Sequence, residues 1–175
     1  MTVPSRAVAN VTLRPAVVAD AEAIRSIYNH EVTTATSTFD LVVRSLDEQQ
    51  RWIAERSGAF SAVVAVDHGA DGSPVIGFGS LSTYKDRAAY STTVEDSVYV
   101  DRERGSRGVG TQLLTQLIET ASASGFHAVM ARIEASGAAS RALHAKCGFE
   151  LVGIERQVGR KFNRWLDVAV MQRLL

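Results

Sequence analysis

Hydrophobic residues along the chain recur with two periods, and the switches between them mark out the elements. VTLRPA at 11–16 alternates apolar and polar side chains, as a half-buried strand does. Ile24, Ile27, Tyr28 and Val32 then recur at three and four, the spacing of one helical face, and Asp20 stands where a cap belongs. TTATSTFDLVV, rich in β-branched residues, reads as extended chain or loop. Ser45 and Glu48 have the spacing of a capping box, which predicts a helix from about 46 to 57, ended near Gly58. AFSAVVAVD and PVIGFGSLSTY are strand-like runs joined by the turn-rich HGADGS, a hairpin signature.

TTVEDSVYV at 92–100 predicts a further strand. From Val109 to about Ser124 the positions Val109, Leu113, Leu114, Leu117, Ile118 and Ala121 keep helical spacing until Gly125. HAVMARIEA is an apolar strand, AASRALHAKC a short helix closed by Gly148, and ELVGIERQV and RWLDVAVMQRLL two last strands. The predicted order is β α α β β β α β α β β, an α/β (α+β) fold with a mixed sheet flanked by helices and no internal repeat or linker. Residues 1–10 form a polar leader expected to be loose, and 11–175 are expected to form one domain.

Charge changes the picture by what it excludes. Nineteen Lys and Arg balance nineteen Asp and Glu, so no net field favours nucleic acid or an anionic membrane, and any attraction for an anion is local. No apolar run approaches the roughly 20 residues that cross a bilayer, and the start lacks the apolar segment of a signal peptide. A soluble, cytoplasmic protein is the expectation. Cys147 is the only cysteine, which excludes an intrachain disulfide. His30, His68, His127 and His144 lack the spacing of a zinc site, so no metal is expected.

DRERGSRGVG at 101–110 places a glycine-rich turn between a strand and a helix. Such a turn presents free backbone N–H groups and the positive end of the helix dipole to an anion. Gly105, Gly108 and Gly110 allow close approach, and Arg102, Arg104 and Arg107 add charge, so a phosphate is the natural guest. The loop has neither the GK[ST] ending of a P-loop nor the GxGxxG of a dinucleotide site. Taken alone it reads equally well as a tight turn.

SRGVG followed by an amphipathic helix, with SVYV before it and SRALHAKCGF after it, resembles the acetyl-coenzyme A site of the GNAT superfamily of N-acetyltransferases. KDRAAYSTTVEDSVYV, IEASGAASRALHAKCGF and VGRKFNRWLDVAVMQ are similar to its phosphinothricin and methionine sulfoximine N-acetyltransferase branch, and the likeness runs from about residue 11. The resemblance implies a largely antiparallel central sheet, acetyl-CoA as cosubstrate, a small-molecule amine acceptor and a homodimer. It implies cofactor contacts from Val98, Tyr99 and Val100, from Ser106, Arg107, Gly108, Val109, Gly110 and Thr111 around the pyrophosphate, and from Ser140 on the later helix. The chain departs from the pattern at Gly105, where Gln or Arg is usual, and at Gly137, where Asn is common.

An amine acceptor arrives protonated and must lose a proton before attacking a thioester. Glu95 matches the glutamate usually proposed as the family's general base; the alternative reading of the residues is a solvated glutamate on an outward strand face. A backbone N–H of Val98–Val100 is expected to stabilise the thioester oxyanion. His144 stands where the superfamily often has tyrosine, and it reads either as general acid or as a packed helix histidine. Cys147, beside Gly148, reads as a core residue rather than a nucleophile. Lys85, Arg87 and Tyr90 border the acceptor site by resemblance, with cations suited to a carboxylate or phosphinate, or simply solvated. Phe39, Tyr84, Tyr90 and Trp165 are candidate pocket walls. The expected activity is acetyl transfer to the α-amine of a small amino-acid-like substrate. The alternatives are a protein N-terminus, lysine or polyamine acceptor, or an acyl-CoA-binding module without turnover.

Overall fold

The structure, a computed structural model, describes residues 10–72, 74–104 and 108–175. The two hydrophobic periods resolve into β1 (Val11–Pro15), α1 (Ala21–Thr34), α2 (Leu46–Ala54), β2 (Val63–Asp67), β3 (Val75–Thr83), β4 (Thr93–Val100), α3 (Val109–Ala123), β5 (Ala128–Glu134), α4 (Ala138–Lys146), β6 (Glu150–Lys161) and β7 (Arg164–Leu174). Among the described residues the strands form one 7-stranded sheet in the order β1-β2-β3-β4-β5-β7-β6. Neighbours are antiparallel except β4 and β5, which the crossover through α3 makes parallel.

Each face of the sheet is covered where the apolar stripes fall. Ile24, Ile27, Tyr28 and Val32 of α1 pack with Ile53 of α2 onto Val64, Val66 and Phe78. On the other face Leu114, Leu117, Ile118 and Ala121 of α3 pack onto Leu81, Val94, Val129, Ala131 and Met171. Two glycines of β3 let α3 come close. A β-carbon at Gly79 would lie 3.0 Å from Leu117 Cδ1, and one at Gly77 3.2 Å from Leu113 Cδ1.

The element order agrees with the sequence pattern; some boundaries do not. α2 stops at Ala54 rather than near 57, because Arg56 turns inward to donate to the carbonyls of Phe60 (2.9 Å) and Leu81 (2.8 Å). β2 starts at Val63, since Gly58–Phe60 form a 3-10 turn. β6 continues past Val158 to Lys161, and the hairpin to β7 turns at Phe162 and Asn163, with φ of 48° and 59°. Asp20 precedes α1 without capping it: its carboxylate accepts from Arg14 (2.7 and 2.8 Å) and from the Val17 N–H (2.8 Å). Of the expected leader, residues 1–9 lie outside the described residues. Among the described residues no helix is long and apolar enough to cross a membrane.

The fit of α3 over β3 gives a test by urea unfolding. Gly79→Ala should cost about 1–3 kcal/mol by overpacking, and Leu117→Ala about 2–5 kcal/mol by leaving a cavity. With Leu117 cut back the added methyl has room, so the double mutant should be more stable than the two costs added together.

Candidate active site

β4 is paired with β3 along its length, from Thr83↔Val94 to Gly77↔Val100. With β5 it pairs only from Thr93↔Ala128 to Glu95↔Met130. Beyond that point β5 continues to Glu134 against β7, and the two parallel strands part. The backbone groups of Asp96–Val100 that face β5 are left without a ladder there, an open edge inside a sheet that an extended molecule can fill. The wide end of this gap leads to the start of α3. Gly108 is the N-cap, with φ of 79°, a left-handed conformation that suits glycine. Among the described residues no side chain caps this helix, and its first turn carries no acid. The first-turn N–H groups of Val109, Gly110 and Thr111 therefore keep the donors and the partial positive charge that suit a phosphate.

Ser106 and Arg107, as well as Gly105, lie outside the described residues. The other two arginines expected to charge the loop are engaged elsewhere. Arg102 grips Glu31 of α1 with Nε 2.6 Å from Oε1 and Nη2 2.9 Å from Oε2. Glu31 is buried and needs that partner; burial pushes its carboxyl up, but the bonds from Arg102 and Ser37 bring it below its ordinary range. Arg104 lies 3.9 Å from Asp101. The positive character at α3 thus comes from the backbone rather than from these two side chains.

Of the expected cofactor contacts on β4, the side chains of Val98 and Val100 pack toward α3. The Tyr99 ring stacks on Phe78 at 5.3 Å and meets Tyr28 edge-on at 5.1 Å, and burial raises its phenol pKa. What these three residues offer the gap is backbone. Val109 is buried in the core and Thr111 is half-buried. Gly110 is accounted for by helix packing, since a β-carbon there would lie 3.1 Å from Leu143 Cδ2 of α4. Gly137, the departure at the N-cap of α4, is tight as well: its β-carbon would lie 3.0 Å from the Glu134 carbonyl.

Glu95 and Asp96 are neighbours on one strand and so point to opposite faces. Asp96 pairs across with Leu81 on the α3 face and meets His144 of α4, with Oδ2 3.0 Å from Nε2. His144 Nδ1 is 2.8 Å from the Ser140 carbonyl. A carbonyl only accepts, so Nδ1 carries a proton, and the ring donates to Asp96 through Nε2 when charged. Burial disfavours that charge, but the bonds to Asp96 and Ser140 outweigh it and raise the pKa of His144. The structure therefore does not bring His144 to the face of Glu95; it is packed against Phe149, with both ring nitrogens engaged. Ser140 contributes a carbonyl to this arrangement. Cys147 is buried in the core beside Phe149.

The residues expected to border the acceptor come together, and Tyr84 beside them shares a charged neighbour, Arg132, with Glu95. Lys85, Arg87 and Tyr90 line one cleft with Tyr84 and Asp86, about 630 Å³ in volume. The Lys85 ammonium lies over the rings of Tyr84 (4.8 Å) and Tyr90 (5.2 Å). Phe39 and Trp165 are not in its lining; Phe39 rests on Gly159 of β6, and Trp165 is 61% exposed. Sequence reasoning missed Arg132 of β5 and Glu155 of β6. They pair through Nη1 and Oε1 at 3.0 Å, with a second bond from Nη2 to Oε2. The available signal was an arginine inside the otherwise apolar AVMARI. Arg132 lies within electrostatic reach of Glu95 and Tyr84, and Glu155 within reach of Lys85. Glu95 is half-buried: burial pushes its carboxyl up, Arg132 opposes the rise, and Asp96 and Glu155 add to it. Among the described residues no group of His, Cys, Asp and Glu is placed to hold a metal ion.

Residues 13–170 match the acetyltransferase (GNAT) domain, and the chain belongs to that family. It is 38% identical over 164 residues to an L-methionine sulfoximine/L-methionine sulfone acetyltransferase of Pseudomonas paraeruginosa, covering 93% of this chain and 94% of the relative. It is 37% identical over 169 residues to a phosphinothricin N-acetyltransferase of Streptomyces coelicolor, covering 95% and 98%. The crystal structure of a GNAT superfamily phosphinothricin acetyltransferase from Sinorhizobium meliloti in complex with AcCoA superposes with a TM-score of 0.88 at 37% identity, over 95% of this chain and 89% of that one. The chain is accordingly an acetyl-CoA-dependent N-acetyltransferase.

The Asp96–His144 pair has a pH signature. A histidine with a raised folded pKa contributes stability fully below its unfolded value, about 6.5, and loses it as pH rises through the folded value. Wild type should therefore exceed His144→Gln in melting temperature most clearly on the acid side, and the margin should shrink as pH is raised. Thermal unfolding of both proteins across that range checks it.

Proposed function

We propose that residues 11–175 act as one domain that transfers the acetyl group of acetyl-CoA to the α-amine of a small amino-acid-like acceptor of the methionine sulfoximine or phosphinothricin type. The observation that carries this reading is that Arg132 lies in electrostatic reach both of the half-buried Glu95 and of Tyr84, which lines one cleft with Lys85, Arg87 and Tyr90. The names of the two relatives favour the same acceptor class.

Bound acetyl-CoA supplies the thioester. The chain's own part begins with Lys85 and Arg87, which pair with the acceptor's carboxylate or phosphinate and turn its ammonium toward β4. Glu95, made more basic by burial, takes the ammonium proton, directly or through one water. Backbone N–H groups of Val98–Val100 that face the gap stabilise the charge growing on the thioester oxygen. The start of α3, from Gly108 to Thr111, holds the pyrophosphate. Asp96 and Ser140 fix His144, and through it α4, against β4; a proton passes from His144 to the departing thiolate only if the Asp96 bond opens. A homodimer is part of the same proposal. β6 is an edge strand, and its Leu151, Val152, Ile154 and Val158 are exposed, a row that a second copy would cover. A polyamine acceptor suits the basic cleft poorly.

Glu95→Gln should lower kcat by about 10²–10⁴-fold with coenzyme A affinity little changed, measured by thiol release and calorimetry. A near wild-type rate would remove Glu95 from the mechanism. Free amino acids should outperform their esters by roughly ten- to a hundredfold, the worth of a charge-assisted hydrogen bond, and Arg87→Ala should narrow that gap. If spermidine or a short peptide is the better acceptor, or acid and ester react alike, the amino-acid assignment is wrong.

A further inference from the structure

β5 places a cation on the acceptor face just past the point where it leaves β4. Met130 stands opposite Glu95 in the last β4–β5 pair, and strand alternation puts Arg132, two residues on, on the same side. Glu155 reaches Arg132 from β6, across the intervening β7, and makes the two-pronged pair described above. Among the described residues the charged groups bearing on Glu95 are Arg132 from β5, Glu155 from β6 and Asp96 beside it on β4. Lys85 acts on Glu155, and Tyr84 on Arg132.

We propose that Arg132 and Glu155 are positioning residues for proton transfer: the Arg132 guanidinium, held by Glu155 and carried on the same strand face as Glu95, keeps the base in its working state without touching the reacting atoms. The proposal rests on Glu95 being the base. Burial alone favours the protonated carboxyl, which cannot accept a proton, and a neighbouring cation restores the carboxylate. A carboxylate paired directly with arginine is in turn a poor base. Glu155 prevents that extreme by holding the guanidinium itself, so the cation opposes the effect of burial on Glu95 without pairing with it directly. Neither residue is needed to bind the acceptor's anionic group, which has Lys85 and Arg87.

The two substitutions have opposite signs. Arg132→Met removes the cation, so Glu95 should titrate at higher pH, and on the acid limb of kcat/KM the rate at fixed pH should fall roughly tenfold. Glu155→Gln removes a negative charge but keeps a carbonyl for Arg132, so the same limb should move to lower pH. Arg132→Lys restores the charge and should bring the midpoint back toward wild type, which separates charge from packing. The direct readout is a carbon-13 NMR titration of the Glu95 side-chain carboxyl in the full chain, assigned by its loss in Glu95→Gln. A Glu95 midpoint that is unmoved in both Arg132→Met and Glu155→Gln, or that moves the same way in both, overturns the proposal. If the NMR midpoints move as stated while Glu95→Gln keeps the acid limb, the electrostatic tie stands and Glu95 is not the base.

Discussion

β4 and β5 are the parallel pair in an otherwise antiparallel sheet, and their ladder ends at Glu95↔Met130. A strand that keeps one neighbour and loses the other leaves half of its polar backbone unpaired, a cost borne only where something else supplies the bonds. Each feature of the site is placed by that parting. Glu95 is the last residue of the shared ladder, Asp96 the first beyond it, and the wide end opens at the start of α3.

Buried charges hold the edges of the gap in place. Arg102, just past β4, is tied to Glu31 of α1. Asp96 is tied to His144 of α4. At the far end of β5, Glu134 accepts from the Ser136 N–H (3.0 Å) and from Thr36 (3.1 Å), which links the strand to the segment after α1. Lys161, buried at the end of β6, donates to the carbonyl of Thr38 (2.8 Å) in that same segment. Breaking any one of these leaves a buried polar group without its partner, so both walls are held firmly while the space between them stays open.

Local features were legible in the sequence because their causes are local. The Ser45–Glu48 capping box forms as its spacing predicts, with the Glu48 N–H 3.3 Å from Ser45 Oγ and the Ser45 N–H 2.7 Å from Glu48 Oε2. The apolar stripe of α3 and its stop at Gly125 were equally readable. What escaped notice depends on partners far apart in the chain. Arg102 and Glu31 are 71 residues apart, His144 and Asp96 48, and Arg132 and Glu155 23. A loop arginine expected to add charge for an anion is tied to a buried glutamate instead, and a charge within an apolar strand is paired across the sheet with Glu155. The length of β6 was missed for the same reason: GRKFN carries no alternating pattern, and its pairing is set by β7.

The central claim is that the open edge of β4 and the start of α3 together hold the cosubstrate. Amide hydrogen exchange with and without acetyl-CoA tests it most directly. The account predicts that acetyl-CoA slows exchange in Ser97–Val100 and Val109–Gln112 while the β1–β2 hydrogen bonds at the distant sheet edge are unaffected. Tight binding that leaves both segments exchanging at their free rates would contradict it.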